Sequence, residues 1–459
     1  MPETPNTNAA SAYIAGTRTR AMPDDVLDAA RMCLVDWFGV AIAARDEGAA
    51  QVVRKVASGR GGSAQVLFGS PTDEPFAALI NGTMAHCLDF DDTHVGSLAH
   101  LSGPTWAATL AVGTATKAEP AAMLRGFVTG FEIGARIGRG GFGDALNTRA
   151  LHSTGFCGCL GAAAAASVLY GLDAGQTANA LGAAATQASG LTGSFGTMSK
   201  PFHAGKAAFN GVLSVQLAKA GFTAAHDLLE PATGMSPALI QDCSRAIAPM
   251  TFAAGDWEIL QNTFKPYASC LLTHPVIDSA RKVRAQLASR TIEAIQVNVH
   301  PMTVQLAGNP SPQTPLQGKF STAYCVALAL AGHVAAAPDF SSDRLNDPVL
   351  RNLVARVTLN IVPDMSKTAA SIAVSLTDGS RIVAETPLAL GNPGNPMQWD
   401  DLERKFLGLA EPVLGRTAEA TFRNLRQYGK GGDIGAAFDA INQTANEKQI
   451  AIRSEPRKA

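Results

Sequence analysis

Along the first half of the chain, apolar residues recur every three or four positions and strict alternation is rare. Pro23-Asp24-Asp25 opens one such segment, with Val26, Ala29, Ala30 and Cys33 at helical spacing. Residues 105–117, 158–171, 175–188 and 203–220 carry the same period and are rich in Ala, Leu and Gly. Small side chains let helix backbones approach closely, which suits a compact bundle. Residues 64–69 are the one part of this half that reads as a short strand. Later the period changes to two. Residues 292–299 (IEAIQVNV), 357–362 (VTLNIV) and 370–376 alternate, and Asp378-Gly379 between ASIAVSLT and SRIVAETPL signals a hairpin. Residues 391–396 (GNPGNP) break any regular element, 399–414 are helical again, and the last 15 or so residues read as polar and loose. The pattern predicts a mainly α fold with an α+β second domain. A helical domain over 1–266 is interrupted by a smaller α+β domain over 267–394 and resumed over 395–459.

Charge narrows the range of partners. Lys and Arg number 37 against 38 Asp and Glu, so neither a nucleic-acid surface nor a polybasic membrane anchor is implied. Charged residues are 16% of the chain, below the roughly 25% usual in soluble proteins. Much surface is therefore expected to be buried, in a large core or against another subunit. The seven cysteines form no CxxC pair, which argues against a disulfide framework, a zinc ribbon or a ferredoxin-type cluster. The first residues lack a basic segment followed by an apolar run, and the apolar stretch 158–172 is short of the roughly 20 residues that span a membrane. The expectation is a soluble, cytoplasmic protein in a reducing compartment.

Five polar clusters interrupt this texture. The first, residues 86–94 (HCLDFDDTH) followed by His100-Leu101-Ser102-Gly103, packs carboxylates and histidines at a density suited to acid–base work or a metal. The plain alternative is a capped helix end with an Asx turn, and no HxxxH or HExxH pair supports a metal. The second, Leu151-His152-Ser153-Thr154-Gly155, leads into an Ala/Gly helix whose start can face an anion; taken alone, a satisfied buried histidine is the plainer reading. In the third, residues 193–205 (GSFGTMSKPFHAG), Ser199 is expected to cap a helix, with Lys200 just before it and His203 and Lys206 on its first turns. The fourth, residues 264–278, places Lys265, Tyr267, Cys270 and His274 at the expected domain junction. The fifth, residues 318–324 (GKFSTAY), offers Lys319 for a carboxylate and the Tyr324 phenol as a proton donor, or simply a buried tyrosine. A sixth string, Gly138-Arg139-Gly140-Gly141-Phe142-Gly143, matches GxGxxG. The segment before it reads as helix and no acidic residue follows at the required distance, so a glycine loop between helices is expected rather than a dinucleotide site.

Taken in order, LDFDDTH at 88–94 with HLSG at 100–103, LHSTG at 151–155, KPFHAGKAA at 200–208, KPYASCLLTHPVID at 265–278 and GKFSTAY at 318–324 resemble the MmgE/PrpD family. That family includes 2-methylcitrate dehydratases, cis-aconitate decarboxylases and iminodisuccinate epimerases. The resemblance covers most of the chain. It implies a large helical domain built from both ends of the chain, a smaller α+β lid domain, a homodimer, and an active site in the cleft between domains. Carried over residue by residue, it marks Asp89, Thr93, His100, His152, Lys200, His274 and Tyr324, with Lys265 and His203 also at motif positions. Three features depart from the family pattern. Leu101 stands where many relatives have proline, Thr93 to His100 is one residue longer than in the animal decarboxylases, and His94 stands where the 2-methylcitrate dehydratases tend to have Trp.

The chemistry so implied is carbanion formation or protonation beside a carboxylate, with no cofactor and no metal. His152 and His100 would transfer protons, with Tyr324 as a further donor. Lys200 would neutralise a substrate carboxylate, helped by His274. Asp89 would orient a histidine or hold a leaving hydroxyl, with Thr93 as its hydrogen-bonding neighbour; Lys265 and His203 would bind substrate. Dehydration of a small hydroxy-polycarboxylate such as 2-methylcitrate is the first expectation. An epimerase or a decarboxylase using the same carbanion is the second, and a non-catalytic binding protein the third.

Overall fold

The computed structural model describes residues 5–57 and 60–454. The chain divides into two compact units. One comprises residues 1–87, 91–262 and 402–459; the other comprises residues 88–90 and 263–401. Both ends of the chain thus belong to the first unit, and the changeovers fall at 262/263 and 401/402 rather than at the expected 266/267 and 394/395. The three residues Leu88–Phe90 group with the second unit, a feature that periodicity cannot reveal.

The first unit is helical. Its centre is the helix Ser153–Tyr170, which is small or apolar on every face and, at 18 residues, long and apolar enough by composition to cross a membrane. It is instead enclosed by the helices Ser102–Thr116, Pro120–Gly138, Ala174–Ala185 and Ser199–Lys219, as an all-round apolar helix requires. Glycines set the spacing. A Cβ on Gly130 would lie 2.4 Å from the Gly161 carbonyl oxygen, and one on Gly205 would lie 2.1 Å from Thr83 Oγ1. Side chains at either place would push these backbones apart.

Beneath this bundle a buried polar network reaches the C-terminal return of the chain. Lys405, on the helix Trp399–Leu414, sits 2.6 Å from Asp36 Oδ1. Asp36 Oδ2 accepts the Asp92 backbone N–H at 3.1 Å. The Asp92 carboxylate in turn accepts the Asn262 amide at 2.6 Å and the Ser102 hydroxyl. Burial, with the Asp36 charge beside it, pushes the Asp92 carboxyl up to about 7.

The second unit holds a four-stranded mixed sheet. Ile292–Val299 pairs in parallel with Val357–Ile361 and antiparallel with Ala370–Leu376, which pairs antiparallel with Arg381–Thr386. The last two strands form the expected hairpin, and Gly379 at φ +83° supplies the left-handed residue its turn needs. One face of the sheet is covered by the helix His274–Leu287, which also packs on Thr322–Ala331.

Some local expectations change. Residues 64–69 form no strand; Ala64 makes an isolated bridge to Thr72. Ser199 does not cap its helix. It is the first helical residue, which puts Lys200 inside the first turn rather than before it. The GxGxxG string turns between the helices Pro120–Gly138 and Phe142–Thr148, with Gly140 and Gly141 at φ +75° and +108°. A dinucleotide site would need a strand before it. Helix Ile434–Ser454 takes in most of the tail expected to be loose, and residues 455–459 lie outside the described residues.

Candidate active site

Four histidines and a lysine from the first unit converge. His86 is the last residue of its helix; a turn then brings back Asp91, Thr93 and, after a tight loop, His100. His152 sits at the N-cap of the central helix, its backbone N–H donated to the Gly190 carbonyl at 3.0 Å. Lys200 and His203 come from the first turn or so of Ser199–Lys219. Gly190 leaves room for the last two imidazoles, since a Cβ there would lie 3.2 Å from the His203 ring and 3.3 Å from His152 Cβ.

The rings are in mutual contact. His86 and His152 stack at 5.8 Å between centroids with 20° between planes, and His86 and His100 lie 4.6 Å apart. His152 Nδ1 is 3.1 Å from His203 Nδ1, so one ring donates and the other accepts. Phe195 meets the His152 ring edge-on at 4.8 Å, and Lys200 Nζ stands 5.2 Å from the centre of the same phenyl ring. His203 Nε2 is 3.4 Å from the Ser194 hydroxyl. Asp91 is a carboxylate bonded within this group. Its oxygens lie 2.9 and 3.0 Å from His86 Nδ1 and 3.2 Å from His100 Nδ1. Thr93 Oγ1 is 3.3 Å from the same His100 nitrogen.

Clustering dictates the protonation states. Burial, reinforced by the nearby His100 and Lys200 charges and only partly offset by Asp91, brings His86 down to about 4. Burial and then the charges of His86, Lys200 and its other neighbours hold His152 well below the usual imidazole range. Burial followed by His86 and the two lysines brings His203 to about 4. Burial alone would raise Asp91, but His100 and His86 outweigh it and hold that carboxyl well below the usual range. Three of the rings are therefore neutral at pH 7.

An acid sensitivity follows. The unfolded chain protonates these histidines near pH 6.5, whereas the folded one resists protonation down to about 4 for His86 and His203. Their contribution is complete above pH 6.5 and is lost as pH falls from 6.5 toward 4. At pH 5, His86 alone is expected to cost about 2 kcal/mol of stability, with less from the more open His203. Urea unfolding at pH 7.5 and pH 5 reads this directly. A midpoint that held steady or rose at pH 5 would contradict it.

The remaining marked residues belong to the second unit. Asp89, at φ +52°, accepts Lys265 Nζ at its side-chain Oδ1 at 3.1 Å and at its backbone carbonyl at 2.8 Å. Lys319 Nζ donates to the Leu88 carbonyl at 2.7 Å, so two lysines anchor this short segment. His274 is fully buried at the start of its helix, with Nε2 3.2 Å from the Ser269 carbonyl and its ring edge-on to Tyr267. Tyr324 is buried too, and its hydroxyl donates to the Asp339 carbonyl at 2.8 Å, which commits its proton within the unit. The sequence expects Asp89 to orient a histidine or hold a leaving hydroxyl; a carboxylate bonded to His86 and close to His100 is Asp91. His86 and Phe195 were also passed over, although all three stand inside strings already marked as polar clusters.

A helical unit from both chain ends, a small mixed-sheet unit and a buried imidazole–lysine cluster define the class. The chain belongs to the MmgE/PrpD family: the family's N-terminal domain matches residues 8–246 and its C-terminal domain residues 267–428. Similar curated proteins include the cis-aconitate decarboxylase of Homo sapiens, 28% identical over 359 residues, covering 74% of this chain and 73% of that protein. The cis-aconitate decarboxylase of Aspergillus terreus is 26% identical over 428 residues, covering 86% of this chain and 87% of that protein.

Proposed function

We propose that this chain is a lyase that forms and protonates a carbanion beside a carboxylate, and that its reaction is decarboxylation of a small polycarboxylic acid resembling cis-aconitate. The observation that carries the chemistry is the cluster of four imidazoles around Asp91 with Lys200 at its edge. The relatives named as cis-aconitate decarboxylases support the choice of decarboxylation over the dehydration first expected.

Departure of CO2 breaks the bond to one carboxyl carbon and leaves its electron pair on the neighbouring carbon, delocalised toward the alkene. One proton delivered to the end of that allylic anion that lies beside a remaining carboxylate completes the reaction, with the double bond shifted. Lys200 supplies a compact positive charge for a remaining carboxylate. His152 and His100 hold the proton that is transferred. Burial, aided by the neighbouring positive charges, keeps His86, His152 and His203 neutral; a polyanion arriving among them reverses the local field and favours the imidazolium that the reaction needs.

Proton NMR in D2O with a chelator present, on cis-aconitate, 2-methylcitrate, citrate and iminodisuccinate, tests this reading. CO2 release with one solvent deuterium in the product is expected from cis-aconitate. Loss of water from 2-methylcitrate without CO2 would replace decarboxylation by dehydration, and deuterium exchange with inversion would point to an epimerase. A folded protein that neither turns over nor exchanges deuterium into any of these acids would count against carbanion chemistry altogether.

A further inference from the structure

We infer that Asp91 and His86 are a buried positioning pair for this chemistry: Asp91 accepts the Nδ1–H of both His86 and His100, so that His100 presents Nε2 to the substrate in one fixed tautomer. The inference rests on the functional reading above for its purpose, but not for its geometry. Asp91 is 1% exposed and its two oxygens meet two imidazole Nδ1 atoms at 2.9 to 3.2 Å. An ionised carboxylate only accepts, so an Nδ1 bonded to it carries the hydrogen; the Thr93 hydroxyl, 3.3 Å from His100 Nδ1, then turns its own hydrogen elsewhere, and a ring in that tautomer keeps its lone pair on Nε2. The carboxylate is itself held in place. The next residue, Asp92, is tied through its backbone N–H to Asp36 and through its side chain to Asn262 and Ser102.

His86 has a second property that a purely structural histidine would not need. Its Nε2 is buried without a hydrogen-bond partner, while its ring lies stacked on that of His152. His86 competes with His100 for the single Asp91 charge. Its deeper burial keeps it neutral, which leaves that charge to His100. The charged and titratable groups of the first unit around the pair include His152, His203, Lys200 and Lys206 on the cluster side, Cys87 beside His86, and Asp36, Asp92 and Lys405 behind it.

Nitrogen-15 NMR of the full chain with labelled histidine reads the tautomers in the substrate-free protein. His100 and His86 are expected with hydrogen on Nδ1. Asp91→Asn is expected to remove that preference at His100 and to lower kcat on the acid identified above by at least about 10²-fold, with KM within about threefold. Asp91→Glu is expected to recover part of both. A wild-type His100 protonated on Nε2 alone, or an Asp91→Asn protein that keeps the wild-type tautomer or the wild-type kcat, overturns the inference. Should Asp91→Asn not fold, the wild-type tautomer and the kcat of His86→Gln, expected to fall by about tenfold, decide instead. An inactive wild-type protein strikes at the functional reading only, because the tautomer is read without turnover.

Discussion

His152→Ala is expected to lower turnover of the decarboxylation substrate by about 10²–10⁴-fold, the usual contribution of a general acid–base group. The ring occupies the middle of the cluster, stacked on His86, bonded to His203 and edge-on to Phe195. Its backbone holds the start of the central helix by donating to the Gly190 carbonyl, and that bond survives the substitution. The fold should therefore persist, with circular dichroism unchanged and only the packing of one imbedded ring lost. The depressed basicity of His152 sharpens the expectation. A group that is neutral in the empty site and charged beside a polyanion can deliver a proton to a carbanion and regain it from solvent after release. A variant that stayed folded and lost less than about tenfold would remove His152 from the proton path.

Lys405→Met is expected to destabilise the chain by about 3–5 kcal/mol at pH 8. Lys405 and Asp36 form a buried ion pair, and Asp92 lies beyond Asp36 on the same network. Removing the ammonium leaves the Asp36 charge buried and next to another carboxyl. Burial already pushes the Asp36 carboxyl up, with Lys405 as the main opposing influence. Without Lys405 it rises further, so protonation relieves the strain as pH falls, and the loss should be smaller at pH 5.5 than at pH 8. Replacing both partners, Asp36→Leu with Lys405→Met, should recover most of the stability because no lone charge remains. Urea unfolding of the two variants at both pH values decides the matter. A single variant within about 1 kcal/mol of wild type at pH 8 would show that the pair contributes little net energy.

What the sequence by itself determined is what depends on local period and turn chemistry. Helical spacing from Asp24 onward, alternation in residues 292–299 and 370–376, and the Asp378-Gly379 turn each encode their element within a few neighbouring residues. The order of the polar strings is enough to mark the family, and His100, His152, Lys200 and His203 stand out from those strings alone. Tertiary structure alone decided the rest. Asp89, Asp91 and Asp92 stand within four residues in an irregular turn, where no period says which way a side chain points. With Asp89 in the left-handed region, the turn gives Asp89 to Lys265, Asp91 to the two histidines and Asp92 to Ser102 and Asn262. The Asp36–Lys405 pair joins opposite ends of the chain, so no local pattern hints at it. Residues 64–69 read as a short strand but pair only through the Ala64–Thr72 bridge, and a strand without a ladder does not form.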